Sequence, residues 1–458
     1  MILFLKRIVA LLFICAIFFR GAHSQILSSI APLADKPPAE KHLIICVDGV
    51  GFSTIEKMRA EGRFHFFGRP ARMIAPFPTL TNVAMTEILA PAGALEAAGY
   101  EDNFYDATEN RMRGGLLDRF NKKRFINGTF RELFDYHPSA IKSGLGYALP
   151  PVSTYLEALS DLIRLKQKIN SSKEQLFFAY LGSTDSLSHL GGERMVRSFL
   201  SMLEKSVGEI FRESEGRVQV TLFSDHGNHY RNYKRVSLKS TLRRAGFKLE
   251  SRIKDERSVV LPQFGLIGCA LLFTRDANEA RLAQLTAGIR GVDFAVYEKD
   301  GVVHVLGRGG AAVIERRGEK FRYGLESGDP LELKDVSERL KREGKADAEG
   351  FIADADWFAA TREGARPDVL RRVYTGATEY VRNRANVILS FEDGYYSGSY
   401  ALDIFAFLQA THGNVMREQS FGFVMKTGTE LPAYLRAREM WAAIGSPVLQ
   451  RERLATKQ

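Results

Sequence analysis

The chain has 458 residues, of which 45% are hydrophobic and 26% charged, so it is long enough to bury the core of one large or two ordinary domains. Its 40 Gly and 15 Pro are close to average usage, and no block of one residue type occurs, which excludes a collagen-like rod, a solenoid and a disordered chain. The formal net charge of +10 is modest for this length and favours anionic partners only weakly.

The N-terminal residues have the pattern of an export signal. Two cationic residues precede an uncharged apolar run at 8–19, and Ala22-His23-Ser24 forms a small-x-small cleavage pattern. The run is shorter than the ~20 residues needed to span a bilayer, so we expect cleavage rather than a retained anchor. We therefore predict a signal peptide at 1–24 and a periplasmic or secreted protein with no stable membrane span after cleavage.

Cysteine usage is low. Cys15 lies in the predicted leader, and Cys46 and Cys269 lie in apolar, strand-like runs. Their spacing does not form a disulfide framework, so we predict two buried free thiols. Metal binding based on cysteine is excluded by so low a count.

Strand-length apolar runs alternate with amphipathic helical patterns after a proline-containing linker at 25–41. The predicted elements, in chain order, are a strand at 43–47, a helix after 53, a strand at 72–75, a helix from about 81, a helix at 155–169, a strand at 176–181, a helix at 193–211 and a strand at 218–223. Alternation of this kind, with strands apolar on both faces, predicts an α/β core whose mostly parallel sheet is sandwiched by helices.

The pattern changes after about residue 235. The predicted elements there are a basic helix at 236–245, hairpin strands at 301–306, 312–315 and 321–323, helices at 333–342 and 368–381, and strands at 386–390 and 421–425. We interpret this part as an α+β cap inserted into the core. The predicted domains are a first part of the catalytic core at 42–234, the cap at 235–384 and a second part of the core at 385–458.

Polar side chains follow four of the apolar runs. The candidates are Asp48 after 43–47, Asp185 and His189 after 176–181, Asp225 and His226 after 218–223, and His412 after the apolar run at 404–408. In an open parallel sheet, ligands bind in the crevice outside the carboxyl ends of the strands. We therefore expect these side chains to converge on one place.

Carboxylate oxygen and imidazole nitrogen are the ligands that hard-to-borderline divalent ions require. Asp185 and His189 are four residues apart, which puts both on one face of a helical turn. Taken alone, each motif has a simpler explanation: Asp48-Gly49 as a turn, Asp185 and His189 as surface or capping residues, and His226 as a buried imidazole. Their combination favours a site for two metal ions.

A turn at 76–80 leads into the helix predicted from Thr81. A hydroxyl at that helix N-terminus would lie where the helix dipole and the free N–H groups favour an anion. Coordination to a divalent ion could activate such a hydroxyl as a nucleophile. The alternative is that Thr79 or Thr81 only caps the helix.

Together these motifs resemble the alkaline phosphatase superfamily and, within it, the type I phosphodiesterase/nucleotide pyrophosphatase family. The resemblance covers 42–227 and about 385–445 through five ordered motifs. It implies two divalent metal ions, expected to be Zn²⁺, held by two sets of residues. The first set is Asp48, Asp225 and His226, with Thr81 as a further ligand. The second set is Asp185, His189 and His412.

The same resemblance assigns the nucleophile. The family has a Pro-Thr-x-Thr turn whose second threonine attacks phosphorus, and the matching residues here are Pro78-Thr79-Leu80-Thr81. The family then usually has Phe-Pro-Asn, whose asparagine helps to bind a phosphoryl oxygen. Asn82-Val83-Ala84 stands here instead, so Asn82 is the candidate for that contact from a neighbouring position.

We therefore expect an exported two-metal hydrolase of small phosphate esters, acting through a phosphothreonine intermediate and preferring diesters or pyrophosphates. The alternatives are a phosphomonoesterase and a non-catalytic binding protein of the same fold. No motif for sequence-specific nucleic-acid binding occurs, and the oligomeric state is not predicted. We interpret the basic residues Lys234, Arg235, Arg371 and Arg372 as a solvated face rather than as an anion-binding patch.

Overall fold

The computed structural model describes residues 41–92, 96–114, 133–137, 151–215, 217–263, 265–400 and 407–446. The predicted leader, most of the linker and most of the apolar run at 404–408 lie outside these residues. Within the described ranges, no helix combines the length and the apolar character needed to cross a membrane.

The predicted alternation of strands and helices is confirmed through the chain. The strands are β1 (Lys41–Val47), β2 (Ala71–Ile74), β3 (Phe104–Asp106), β4 (Arg111–Arg113), β5 (Leu176–Leu181), β6 (Val218–Phe223), β7 (His229–Tyr230), β8 (Lys234–Arg235), β9 (Lys248–Leu249), β10 (Ser258–Val259), β11 (Leu266–Ile267), β12 (Cys269–Leu272), β13 (Val292–Lys299), β14 (Val302–Gly307), β15 (Gly310–Arg317), β16 (Lys320–Gly328), β17 (Ile352–Ala353), β18 (Val387–Phe391), β19 (Tyr395–Gly398), β20 (Ala410–Thr411), β21 (Phe421–Lys426) and β22 (Tyr434–Arg436).

The predicted helices are present to within a few residues at most ends, and four further helices, at 279–287, 354–361, 417–420 and 440–443, were not predicted. The helices are α1 (Phe52–Ala60), α2 (Thr81–Leu89), α3 (Val152–Ser171), α4 (Ser183–Glu213), α5 (Leu238–Arg244), α6 (Glu279–Ala287), α7 (Lys334–Arg342), α8 (Asp354–Thr361), α9 (Val369–Thr378), α10 (Arg417–Ser420) and α11 (Met440–Ala443). The exception is α4, which begins ten residues before the predicted start at 193. It is interrupted at Gly192, whose φ is 74°, so the helix predicted from residue 193 is the part after this kink.

The first sheet has six strands in the order β22-β2-β21-β6-β1-β5. Strand β1 pairs in parallel with both β5 and β6, and β2 pairs in parallel with β22. Only β21 runs against its neighbours β2 and β6. The prediction of a mostly parallel sheet is therefore confirmed, and β5, β1 and β6 end side by side at one edge.

Helices cover both faces of this sheet because its central strands are apolar on both sides. In β1, Leu43, Ile45 and Val47 pack in one buried cluster with side chains of α3 and α4. Ile44 and Cys46 point the other way, into a second cluster that contains residues of α2 and α11. Alternate side chains of a strand face opposite sides, so a continuous apolar run is what a doubly covered strand requires. Cys46 and Cys269 are buried free thiols, as predicted.

The second sheet has seven strands in the order β12-β18-β13-β14-β15-β16-β17, and all its pairs are antiparallel. The predicted hairpins at 301–323 are its strands β14, β15 and β16. One assignment was wrong: the strand β18, which the sequence analysis placed in the second part of the core, pairs with β12 and β13 of this sheet. Its apolar side chains fit either sheet equally well, so periodicity alone could not assign it.

Candidate metal centre

The strand-end carboxylates meet at the edge where β5, β1 and β6 finish. Asp48 comes directly after β1, Asp225 lies just beyond β6, and Asp185 stands in the first turn of α4, which follows β5. Because β1 pairs in parallel with both other strands, all three chain ends leave the sheet on the same side.

Asp48, Asp225 and His226 form the first group of donors, and their potential ligand atoms all lie within 4.8 Å of one another. His226 Nε2 is 3.5 Å from Asp48 Oδ1 and 3.6 Å from Asp225 Oδ2. The Thr81 hydroxyl oxygen lies 3.4 Å from Asp48 Oδ1 and 3.4 Å from His226 Nε2. Thr81 therefore lies next to this group, and its role as a metal ligand stays a prediction.

Asp185, His189 and His412 form the second group. His189 Nε2 lies 3.3 Å from Asp185 Oδ2, across one turn of α4, and His412 Nε2 lies 3.6 Å from Asp185 Oδ1. His226 adjoins this group too, since its ligand atom lies within 4.8 Å of those of Asp185 and His412. The two groups thus share one pocket. His412 follows the short strand β20, which pairs with β7 just beyond His226.

The three imidazoles are oriented by backbone carbonyls. Nδ1 of His189 lies 2.7 Å from the Ala410 oxygen, Nδ1 of His226 lies 3.1 Å from the Gly227 oxygen, and Nδ1 of His412 lies 2.6 Å from the Thr79 oxygen. A carbonyl can only accept, so each Nδ1 carries a proton, and each Nε2 is the ring atom that faces the carboxylates. This is the arrangement that metal-binding histidines require.

Other described residues do not fully compensate the carboxylates of the first group. Asp225 Oδ2 is buried and has no hydrogen-bond partner among the described residues. Burial raises the pKa of the Asp48 carboxyl well above its usual range, and the negative charges of Asp225 and Asp185 raise it further. A buried acceptor without a donor and crowded carboxylates are both unfavourable unless a cation compensates them. The residues therefore fit divalent metal ions.

The negative charge of Asp185 is already compensated by histidine side chains. Burial opposes the ionised form of Asp185, but His189 and His412 outweigh it and lower its pKa well below the usual range. Burial likewise opposes the charged form of His412, but Asp185 and the Thr79 carbonyl raise its pKa to about 9. His226 differs, because burial, together with His412, lowers its pKa despite the nearby Asp225.

Neither threonine of the turn caps α2. The residue before the helix is Leu80, and no side chain makes a capping hydrogen bond there. The Thr79 hydroxyl instead donates to the Asn414 carbonyl and accepts from the Gly413 N–H at 2.6 Å. The capping alternative was therefore wrong: Thr79 fastens the turn to the His412 loop, and Thr81 faces the carboxylates.

Asn82 lies one residue past Thr81 and is buried. Its side-chain amide nitrogen donates to the Gly99 carbonyl at 3.1 Å, and its backbone carbonyl accepts from the Thr86 hydroxyl. The side chain thus ties α2 to the loop that carries Glu101. The predicted contact of Asn82 with a phosphoryl oxygen stays a prediction.

Sequence reasoning missed several residues that contact or influence the donors. The Tyr180 hydroxyl donates to Asp48 Oδ2, and the Asn228 amide donates to Asp185 Oδ1 and to the Gly49 carbonyl, each at 2.8 Å. Asn228 directly follows Asp225-His226-Gly227, and this adjacency is the one feature of the sequence that could have indicated it as a site residue. Burial raises the pKa of Glu101 to about 7; His412 opposes this shift, and Asp102 and Asp185 add to it.

Two further groups of charged residues lie outside this pocket. His229, Asp393 and Glu418 could also hold an ion, but Asp393 already pairs with His229 at 2.9 Å and with Arg231 at 3.4 Å, so we assign it none. The interpretation of Arg371 and Arg372 as a solvated face was wrong, because both are buried. Arg371 pairs with Asp354, and Arg372 donates to backbone carbonyls and to Ser420.

The chain has the same α/β fold as solved structures of a phosphonoacetate hydrolase. Phosphonoacetate hydrolase from Sinorhizobium meliloti 1021, in complex with phosphonoacetate, superposes with a TM-score of 0.51 at 11% identity over 90% of this chain and 96% of that chain. Its complex with phosphonoformate gives a TM-score of 0.50 at the same identity and coverage.

Murine ectonucleotide pyrophosphatase/phosphodiesterase 5 is more distant, with a TM-score of 0.48 at 12% identity over 88% of this chain and 93% of that chain. No family model and no curated protein matches the sequence. The resemblance indicated by the motifs is thus confirmed at the level of the fold.

Proposed function

We propose that the chain is an exported, metal-dependent hydrolase of phosphoric esters in which Thr81 is the nucleophile. The observation that carries this proposal is the position of the Thr81 hydroxyl, 3.4 Å from both Asp48 Oδ1 and His226 Nε2 at the first residue of α2. A binding protein of the same fold would have no chemical need for a hydroxyl among the full set of donors.

Two sets of residues would hold the metals: Asp48, Asp225, His226 and Thr81 in one, and Asp185, His189 and His412 in the other. When bound, two divalent ions would supply Lewis-acid stabilisation of the developing negative charge and would lower the pKa of the hydroxyl. Donors limited to nitrogen and oxygen suit Zn²⁺ and also Mn²⁺. We favour zinc because three imidazoles are present.

The protein groups perform three tasks in this proposal. Thr81 Oγ1 forms the bond to phosphorus in line with the departing ester oxygen, which gives a phosphothreonine that water then hydrolyses. The backbone N–H groups in the first turn of α2 have no partner within the helix and favour a phosphoryl oxygen at that end. Thr79 holds the nucleophile turn against the His412 loop, so the two halves of the site keep their spacing.

We propose diesters or pyrophosphates as the substrate class. The Pro78-Thr79-Leu80-Thr81 turn supports it through the family resemblance. Glu101 supports it physically, because an ionised carboxylate that interacts with His412 and Asp185 would repel the second negative charge of a phosphate monoester. A phosphomonoesterase would need extra cations for that charge. The predicted contact of Asn82 with a phosphoryl oxygen belongs to the same proposal.

The test compares Thr81→Ala with Thr81→Ser and the unchanged protein. Each is assayed on an aryl phosphodiester, an aryl phosphomonoester and phosphonoacetate, with metal content measured by elemental analysis. We expect Thr81→Ala to lose about 10³-fold or more of the diesterase activity while it keeps its metals, and Thr81→Ser to keep measurable turnover. Undiminished activity of Thr81→Ala would refute the nucleophile assignment, and faster hydrolysis of the monoester would refute the substrate class.

A further inference from the structure

A second concave site lies away from the candidate metal centre. It is a cavity of about 620 Å³ lined by residues of α5, by the end of α6 with the loop that follows it, and by the paired strands β8 and β19. A volume of this size is typical of pockets that hold small molecules. Neither Thr81 nor any of the six candidate metal donors lines it.

The side chains that line this cavity give it a strong positive charge. Four of them are cations, Lys234, Arg235, Arg244 and Arg290, and none is a carboxylate. Within the described part of the chain, Lys234, Arg244 and Arg290 form no ion pair, whereas Arg231 and Arg308 each pair with a carboxylate. We call this cavity the basic pocket.

Like charges crowd around the basic pocket. Lys239, on the same helix as Arg244, has a lowered pKa because of burial and because of the positive charges of Arg235 and Arg243. Such crowding is electrostatically unfavourable in the free protein, and a bound anion would relieve it.

Two walls of the basic pocket are fixed by contacts of their own. Arg235 donates to the Gly398 carbonyl at 2.7 Å and stacks over the Tyr396 ring at 4.9 Å. Arg290 donates to the Tyr395 hydroxyl at 3.3 Å. Tyr395 packs so closely on the backbone that a Cβ at Gly291 would lie 2.3 Å from its ring. Arg235 and Arg290 are thus held in place before any ligand arrives, which reduces the entropy lost on binding.

We propose that the basic pocket binds a small polyanion carrying two or more phosphate groups. Guanidinium groups donate in a fork that matches phosphate oxygens, and the hydroxyls of Ser237 and Thr241 add neutral donors to the same wall. Three cations without a carboxylate partner are more than one phosphate group needs, and a volume of about 620 Å³ accommodates a small polyanion. This binding does not depend on the proposed hydrolysis.

The test is calorimetric titration of the purified full-length protein with inorganic tripolyphosphate. The variant Arg244→Gln/Arg290→Gln is compared with Arg252→Gln, which changes an exposed cation that does not line the pocket. We expect the double variant to bind at least tenfold more weakly and the control to bind within twofold of the unchanged protein. A metal centre that also binds the probe contributes equally to all three proteins.

Equal binding by all three proteins, or the absence of binding to the unchanged protein, would overturn the proposal. A parallel titration with inositol hexasulfate, which a phosphoesterase does not hydrolyse, shows whether phosphate itself is required. We expect weaker binding of this probe, with the same loss in the double variant. Arg244 and Arg290 are both exposed, so the double variant and the unchanged protein should have the same thermal midpoint of unfolding. If the double variant unfolds at a lower temperature, Arg244→Gln and Arg290→Gln are titrated as single variants. We then expect each single variant to bind tripolyphosphate at least threefold more weakly than the unchanged protein.

Discussion

The imidazole rings of His226 and His412 stack, with their centroids 3.9 Å apart and their planes inclined by 22°. The two residues reach this position from the two sides of the segment that forms the second sheet. Because two positively charged imidazolium rings this close would repel each other, at most one of them is favourably protonated on both nitrogens. The pKa shifts of the two residues have opposite directions, which agrees with this. Burial is the main cause that lowers the pKa of His226, whereas Asp185 raises the pKa of His412 although burial opposes the shift.

Gly49→Ala should abolish metal binding. Gly49 has a φ of +67°, and a Cβ there would lie 2.4 Å from Asp185 Oδ1 and 2.6 Å from the Asn228 amide nitrogen. The methyl group would push the Asp185 carboxylate out of position. Elemental analysis and diesterase assays check this.

The control is Gly62→Ala, because Gly62 has a φ of +83° and open space around it. Backbone strain should cost this variant about 1–2 kcal/mol of stability, but it should keep its metal ions and its activity. Full metal content in Gly49→Ala would contradict the model of the site.

Tyr180→Phe should weaken metal binding without unfolding the protein. The Tyr180 hydroxyl donates to Asp48 Oδ2 and so orients that carboxylate. Loss of such a supporting hydrogen bond typically costs about 10-fold in metal affinity. Competition with a chelator measures the affinity. Tyr155→Phe is the matched control: among the described residues the Tyr155 hydroxyl bonds to Ser198 at 2.9 Å, away from the donors, so this variant should leave metal binding unchanged. The same chelator sensitivity in both variants would exclude the orienting role.

Glu101→Gln should raise activity on phosphate monoesters relative to diesters. If the Glu101 carboxylate repels the second charge of a monoester, its removal should increase the ratio of kcat/KM values by about 3- to 10-fold. The pKa of about 7 predicts that the effect is larger at pH 8.5, where the carboxyl is ionised, than at pH 6. Glu96→Gln, an exposed neighbour, serves as the control. An unchanged ratio at both pH values would remove the physical support for diesters.

Glu87→Gln should stabilise the protein at alkaline pH. Burial raises the pKa of Glu87 from 4.5 to about 7, against the opposing charges of Arg371 and Arg438. Between these two values the unfolded chain loses its proton while the folded chain keeps it, so stability falls as pH rises from 4.5 to about 7. The full loss corresponds to about 3 kcal/mol.

The prediction is checked by denaturant unfolding of Glu87→Gln and the unchanged protein at pH 5 and pH 8. The gain in the free energy of unfolding should be small at pH 5 and several-fold larger at pH 8. The exposed Glu338→Gln provides the control and should give no difference at either pH. A gain of equal size at both pH values would mean that Glu87 does not titrate as proposed.

Sequence periodicity predicted where the donors would stand along the chain. Asp48 follows a run that is apolar at every position, and only a strand covered on both faces needs such a run; Asp225 follows a mostly apolar run interrupted by Gln219 and Thr221. Asp185 and His189 have helical spacing, and α4 does begin before them. These predictions were possible because the burial of side chains in a strand or helix produces a pattern of apolar residues within a short stretch of sequence.

Contacts between distant segments were decided only by the tertiary structure. The sequence could not show that Thr79 fastens the His412 loop, that Tyr180 bonds to Asp48, or that the strand at 387–391 joins the second sheet. Arg371 and Arg372 have the composition of a solvated face, yet they are buried against acceptors far along the chain. A buried cation and an exposed one have the same local pattern, and the difference lies in which remote groups the fold brings within hydrogen-bonding distance.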